Sequence, residues 1–402
     1  MLVAACAAAS LGGCGFGPKA IEKTHGRYAE SVRRVEEEQL LRQLVLLRYN
    51  ETSVNFDIAN IASQYELAAT AEARPFFVAP NPSTDIFRTF TSILPDVSLS
   101  GSNRPTITLI PNTDGGSVRR YLTPITLETL IFLTQTSWPV DTVLRVWVER
   151  LNGVPNAVQA SGPGSDDPPD YERFLRLTEL FRNVQRQELA AIRTEEQFTE
   201  IGGPIPSESV TAAAMVEAAK GGFEYRPRDA RTWSLVRKEK HLIVGVNPGA
   251  EKSPEMLEIE KLLNLVPGLS RYDVAVSNRG SPDPEKYPGP PAKELHLVPR
   301  STAQAEYFLS NGVEAPNEHV CAGLVSSDNS AITEGLFAVH SSAGHKPPAN
   351  AFVAVRYRGY WFYIDDRDQE SKITFALMFH LSKLDFTRDP LRGPALTLPV
   401  GR

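Results

Sequence analysis

The chain has 402 residues, 42% of them apolar and 22% charged, the proportions of a folding globular protein rather than of a disordered one. At this length more than one hydrophobic core is expected, because single cores stop growing at roughly 250–300 residues. Lysine and arginine number 42 against 48 acidic residues, a formal net charge of −6 with both signs interleaved, which excludes the basic face of a general nucleic-acid binder.

The first segment, "MLVAACAAASLGGC", is an apolar run of small residues ending in Leu11-Gly12-Gly13-Cys14. It resembles the lipobox of bacterial lipoproteins. The resemblance implies a signal peptide over residues 1–13, cleavage before Cys14, and palmitate-type acylation of the Cys14 thiol and of the new amino terminus. Gly15 stands where an Asp would mark inner-membrane retention, so the resemblance implies an outer-membrane anchor facing the periplasm. The run is too short to span a bilayer, and no later stretch reaches the roughly 18 uninterrupted apolar residues of a spanning helix. With Cys6 removed and Cys14 acylated, Cys321 is left alone and no internal disulfide can form.

Residues 20–49 are strong helix formers with no Pro or Gly after Gly26, and their apolar stripe broadens from Leu40 onward into a buried end. Alternation at Val54, Phe56 and Ile58 predicts a strand. A Pro, Ser and Asn rich stretch follows to 105, with a short helix near 83–93, and then a strand at 105–112. "TPITLETLIFLTQTSW" predicts a helix capped by Thr123 with Pro124 at its first position. "TVLRVWVERLNG" reads equally as strand or helix, 152–169 as a polar linker, and "DYERFLRLTELFRNVQRQELAAI" as an amphipathic helix to about 192.

In the second half, "TWSLVRKEKHLIVGV" predicts a hairpin turning at Lys238-Glu239-Lys240. A helix at 253–265, a strand at "RYDVAVS", and a strand and helix in "LHLVPRSTAQAEYFLSNG" follow, the helix closed by Asn311-Gly312. Strands at 335–342, 351–357 and 360–364, the last two joined at Arg358-Gly359, lead to a final helix over about 368–383. The expected class is α+β, mixed helices and antiparallel hairpins in two associated lobes: 14–200 with the long leading helix, and 201–402 with an antiparallel meander and the final helix.

Three features invite a chemical reading. Asp365, Asp366 and Asp368 lie where an aromatic strand meets a helix; clustered carboxylates suit hard cations, but Arg367 intrudes and the calcium-loop Gly is missing, so a strand-to-helix corner is expected and no metal or other cofactor. "NAFVAVRYRGYWFYIDD" resembles the strand pair of transglutaminase-like thiol enzymes. That resemblance implies Asp365 as the acid that orients a general base; Asn350 occupies the base's place and cannot take a proton, and Ser301 and Thr302 open the preceding helix where a Cys is needed. Cys321, His340 and His345 could supply a nucleophile and base with Asp365; the apolar setting of "HVCAGLV" predicts instead a buried, inert thiol with surface histidines nearby.

The lipobox together with "EEEQLLRQLVLLRYNETSVNFDIANIASQYE" and "AVRYRGYWFYIDDRDQESKITFALMF" resembles a group of uncharacterised bacterial envelope lipoproteins, from which no activity follows. The expectation is a non-catalytic, lipid-anchored envelope protein that binds or scaffolds another component. Its partners would be the membrane, through the N-terminal lipid, and an envelope protein, with no nucleic acid. The alternative is a degenerate transglutaminase-like thiol enzyme or hydrolase in the C-terminal lobe. A small-ligand carrier is a third possibility and requires an apolar pocket between the two lobes.

Overall fold

A computed structural model describes residues 16–52, 56–77, 91–111, 115–136, 138–163, 168–277, 282–325, 330–386 and 396–399. Cys14 and residues 83–90 lie outside them. The architecture is α+β, as the sequence predicts. The chain forms two compact units: residues 1–39, 53–118 and 387–402 make one, and 40–52 with 119–386 make the other. No helix among the described residues is long and apolar enough to cross a membrane.

The first unit contains most of helix α1 (Phe16–Arg48) and a long antiparallel pair, β1 (Phe56–Phe77) and β2 (Thr91–Pro111). Gly17 and Pro18 fall in the first turn of α1, where the missing N–H of Pro breaks no helical bond. Arg33 bridges Glu30 and Glu37 one turn to either side, at 2.7 and 2.6 Å. The two strands pair from Phe56 with Pro111 to Phe77 with Thr91, so residues 91–93, expected at the end of a helix, lie in a strand. A short strand over 396–399 adds to β2.

The second unit starts inside α1, where Leu41, Leu44 and Val45 are wholly buried. Helix α2 (Gly115–Leu122) precedes α3 (Leu127–Gln135), whose cap is Thr126 rather than Thr123. Pro124 is instead bridged to Ser301, which holds it outside the helix. "TVLRVWVERLNG" is both elements in succession: α4 (Val140–Trp147) runs directly into β3 (Val148–Leu151). The first part of the expected polar linker, residues 152–161, is packed structure, with β4 (Val154–Pro155) and a 3₁₀ turn at Val158–Ala160, and Val154 and Ala157 wholly buried. Helix α5 (Glu172–Arg186) stops short of 192 because β5 (Ala190–Pro206) begins there; β5 passes through the expected lobe boundary at residue 200.

After α6 (Ala212–Lys220) and β6 (Phe223–Pro227), β7 (Thr232–Val246) is one unbroken strand on β5. Lys238, Glu239 and Lys240 pair with Phe198, Gln197 and Glu196, so no turn occurs there. Lys238 is exposed and lies 2.8 Å from Glu196 on the paired strand. Helix α7 (Pro254–Leu262), β8 (Arg271–Val276), β9 (Glu294–Pro299) and α8 (Thr302–Ser310) follow. The resulting seven-stranded sheet has the order β4-β3-β9-β8-β7-β5, with β6 also on β7. Only β8 and β9 run parallel, so the sheet is mixed.

A second, antiparallel sheet holds β10 (His340–Ala343), β12 (Tyr360–Asp365) and β11 (Ala351–Tyr357), with short α9 (Asn317–Cys321) before it and α10 (Gln369–Phe386) after it. Arg358 and Gly359 both take positive φ, 46° and 90°, the two-residue turn that matches strand twist. One continuous core joins α1 to Trp147, Phe174, Phe308, Phe362 and Phe375. It fills the second unit.

Candidate functional site

A pocket of about 440 Å³ opens in the second unit between one face of the large sheet and helices α3, α4, α5 and α7. Helical spacing supplies one wall: Val140 and Leu144 on α4, Phe181 and Val184 on α5, Met256 and Ile259 on α7. Each pair is three or four residues apart and so projects from one helix face. Alternation supplies the other wall, with Ala190 and Ile192 of β5, Tyr272 and Val274 of β8, and Leu295 and Leu297 of β9.

The lining is apolar because its polar atoms are committed elsewhere. Tyr272 turns its ring to the pocket while its hydroxyl, with one proton to share, lies 2.7 Å from Glu260 Oε1 and 2.8 Å from Val266 O. Burial is the largest cause raising its pKa, so the phenol stays neutral. Polar residues gather at the rim. Gln135 Nε2 donates to Ile192 O at 3.4 Å, and Gln185 Oε1 accepts from the Val140 N–H at 3.2 Å. Asn247 Nδ2 donates to Glu188 O at 2.5 Å, and its Oδ1 accepts from Arg193. Gln135, Gln185 and Glu188 are exposed, whereas Val184, Met256, Ile259 and Tyr272 are buried. The arrangement is a wet mouth over an apolar interior, at a volume within the usual range for small-molecule sites.

The residues singled out for chemistry lie outside this pocket. Cys321 ends α9 and is exposed, not buried as its apolar neighbours suggest. His319, expected at the surface, is instead buried: its Nδ1 lies 2.6 Å from Tyr49 Oη, and Tyr49 and Tyr360 meet its ring edge-on. One turn of helix explains both. Residues two apart face opposite ways, so seating His319 among aromatic rings turns Cys321 outward. Among the described residues no hydrogen bond joins the Cys321 thiol to an imidazole.

His340 and Asp365 do come near one another. His340 pairs with Tyr363 across β10 and β12, two residues from Asp365, and lies 3.5 Å from Glu314. His345 is exposed beyond the end of β10. The Arg367 N–H holds the Asp365 carboxyl below the usual carboxylate range; the Asn350 amide and the Arg367 and His340 charges act in the same direction. Asn350 Nδ2 donates to Asp365 Oδ2. Ser301 Oγ accepts from the Gln304 N–H in a capping box.

The acidic corner is built as a helix start. Asp368 accepts from Ser371 N at 3.1 Å and from Ser371 Oγ at 2.5 Å, and Asp366 pairs with Lys372 at 2.8 Å. Among the described residues no three His, Cys, Asp or Glu side chains are grouped to hold a metal ion. Sequence reasoning about short motifs could not assemble the pocket, whose lining runs from Thr134 to Leu297; the helical and strand periods were its only signal. No protein family, no curated protein and no solved structure compared with the chain matches it.

Proposed function

We infer that this protein is a non-catalytic binding component of the bacterial envelope, tethered by a lipid on Cys14, and that it takes an apolar small molecule into the pocket beneath the seven-stranded sheet. The pocket is the observation that carries the reading: about 440 Å³ lined by Leu, Ile, Val, Phe and Met side chains, with amides at the rim. Its partners under this reading are the membrane, an envelope protein that delivers or receives the ligand, and the ligand itself.

The test uses N-phenyl-1-naphthylamine, whose fluorescence rises in apolar surroundings, titrated into the full chain and into Ala190→Trp. Ala190 is half-buried at the start of β5 and shares the pocket face with Ile192, so an indole there should obstruct entry. Saturable binding by the wild type, weakened at least about tenfold in the variant, is the expected result. No saturable binding by the wild type overturns the pocket reading. In cells, a fatty-acid probe should label the wild type and not Cys14→Ala; equal labelling overturns the anchor.

A further inference from the structure

The distribution of charge around the pocket goes further and names the kind of ligand, resting on the binding reading above. Among the residues that line it, Glu188 is the one ionisable acid or base apart from Tyr272, whose hydroxyl is buried against Glu260. Glu188 follows the end of α5 in a left-handed conformation, φ 53°, which places it at the exposed mouth between Gln185 and Ala190. The Asn247 amide holds the Glu188 backbone carbonyl, which fixes the residue in place. Among the described residues its carboxylate makes no hydrogen bond or ion pair.

Arg193, on β5, donates to Asn247 Oδ1 at 3.1 Å, and neither it nor Arg186, in the last turn of α5, is part of the lining. A carboxylate head would therefore meet Glu188 with no lining cation to offset it. An ammonium head would meet the Glu188 carboxylate, while its alkyl body lay between Phe181, Ile259 and Leu295.

We propose that the pocket selects amphiphiles with an alkyl or aromatic body and a cationic amine head, and that Glu188 at its mouth is the residue that sets this preference over isosteric alcohols and carboxylates. Glu188 is a specificity determinant; the affinity comes from the apolar body.

The experiment is displacement of N-phenyl-1-naphthylamine from the full chain at pH 7 by octylamine, octanol and octanoate, three heads on one chain. An exposed ion pair gives about a threefold to fivefold advantage, so octylamine should displace at a concentration lower than octanol by that factor, with octanoate the weakest. Glu188→Gln keeps the shape and should bring octylamine and octanol to within about twofold without changing octanol. Added salt should narrow the wild-type difference in the same way. Octanoate equal to or stronger than octylamine, which would make Arg193 the governing charge, overturns the proposal. So does an amine preference that survives Glu188→Gln. If the naphthylamine probe itself does not bind, the pocket reading has failed; if it binds and the heads are not distinguished, only the cationic preference has failed.

Discussion

Glu306, on α8, offers a quantitative test of how the second unit is held together. It is 3% exposed, and its carboxylate accepts from Gln43 Nε2 at 2.5 Å and from Tyr121 Oη at 2.7 Å, with no cation among these partners. Burial pushes its pKa up to about 7 from 4.5, against the pull of the two hydrogen bonds. Between those values the folded chain holds a proton that the unfolded chain releases. The group's contribution is thus fully present below pH 4.5 and is lost as pH rises through about 7. The interval corresponds to about 3 kcal/mol. All four tryptophans, Trp138, Trp147, Trp233 and Trp361, lie in the second unit, so guanidinium unfolding followed by tryptophan fluorescence reports on it alone. From pH 5 to pH 8 the wild type should lose about 2.5 kcal/mol more than Glu306→Gln, which cannot titrate. Parallel stability curves for the two proteins, or a wild type that gains on the variant as pH rises, would refute the reasoning.

Three further expectations concern Arg300, which the sequence does not mark, and Asp368 and Cys321, which it does. Arg300 is wholly buried and donates to Ser161 Oγ at 2.8 Å, Arg145 O at 2.7 Å, Val146 O at 3.2 Å and Asn156 O, with Phe308 beneath it. Burial pulls its pKa down to about 9, which leaves it a cation at neutral pH. Arg300→Lys keeps the charge but not the fork, so it should destabilise the second unit by about 3 kcal/mol through stranded carbonyls; a loss under about 1 kcal/mol in the same unfolding assay contradicts that role. Asp368→Ala should cost about 1 kcal/mol by uncapping α10, with Asp368→Asn retaining most of the stability, and equal losses in the two variants would argue against capping. Finally, the wild type should show one more fast-reacting thiol towards Ellman's reagent than Cys321→Ser, because Cys321 is exposed; identical fast phases would mean that it is covered.

Local chemistry was legible where a few adjacent residues decide the backbone. The close of α8 at Asn311-Gly312 and the Arg358-Gly359 turn between β11 and β12 follow from short-range signals, the second with positive φ at both residues. Gly312 has a reason that only packing supplies: a Cβ there would collide with Phe337 O and Thr333 Oγ1. Elements failed to show where a distant partner overrides the local signal. Lys238-Glu239-Lys240 looks like a turn because three charges interrupt apolar residues, yet β5 pairs with it throughout. Residues 152–169 look like a linker because Gly, Pro and Asp dominate, yet Val154, Ala157 and Ala160 are buried and the Arg300 guanidinium holds the segment at Ser161 and Asn156.

What the sequence by itself determined is the class: an α+β chain with a helical beginning to its core, a C-terminal meander and a capped last helix, because hydrophobic period and capping chemistry are local properties. The tertiary structure decided which of its apolar positions are packed and which face a space. Phe181 with Val184 and Met256 with Ile259 line the pocket yet carry the same three-residue spacing as Leu177 with Leu180, which line none of it. Period tells which face of an element is apolar; only the placement of the opposing element determines whether that face meets another side chain or a pocket.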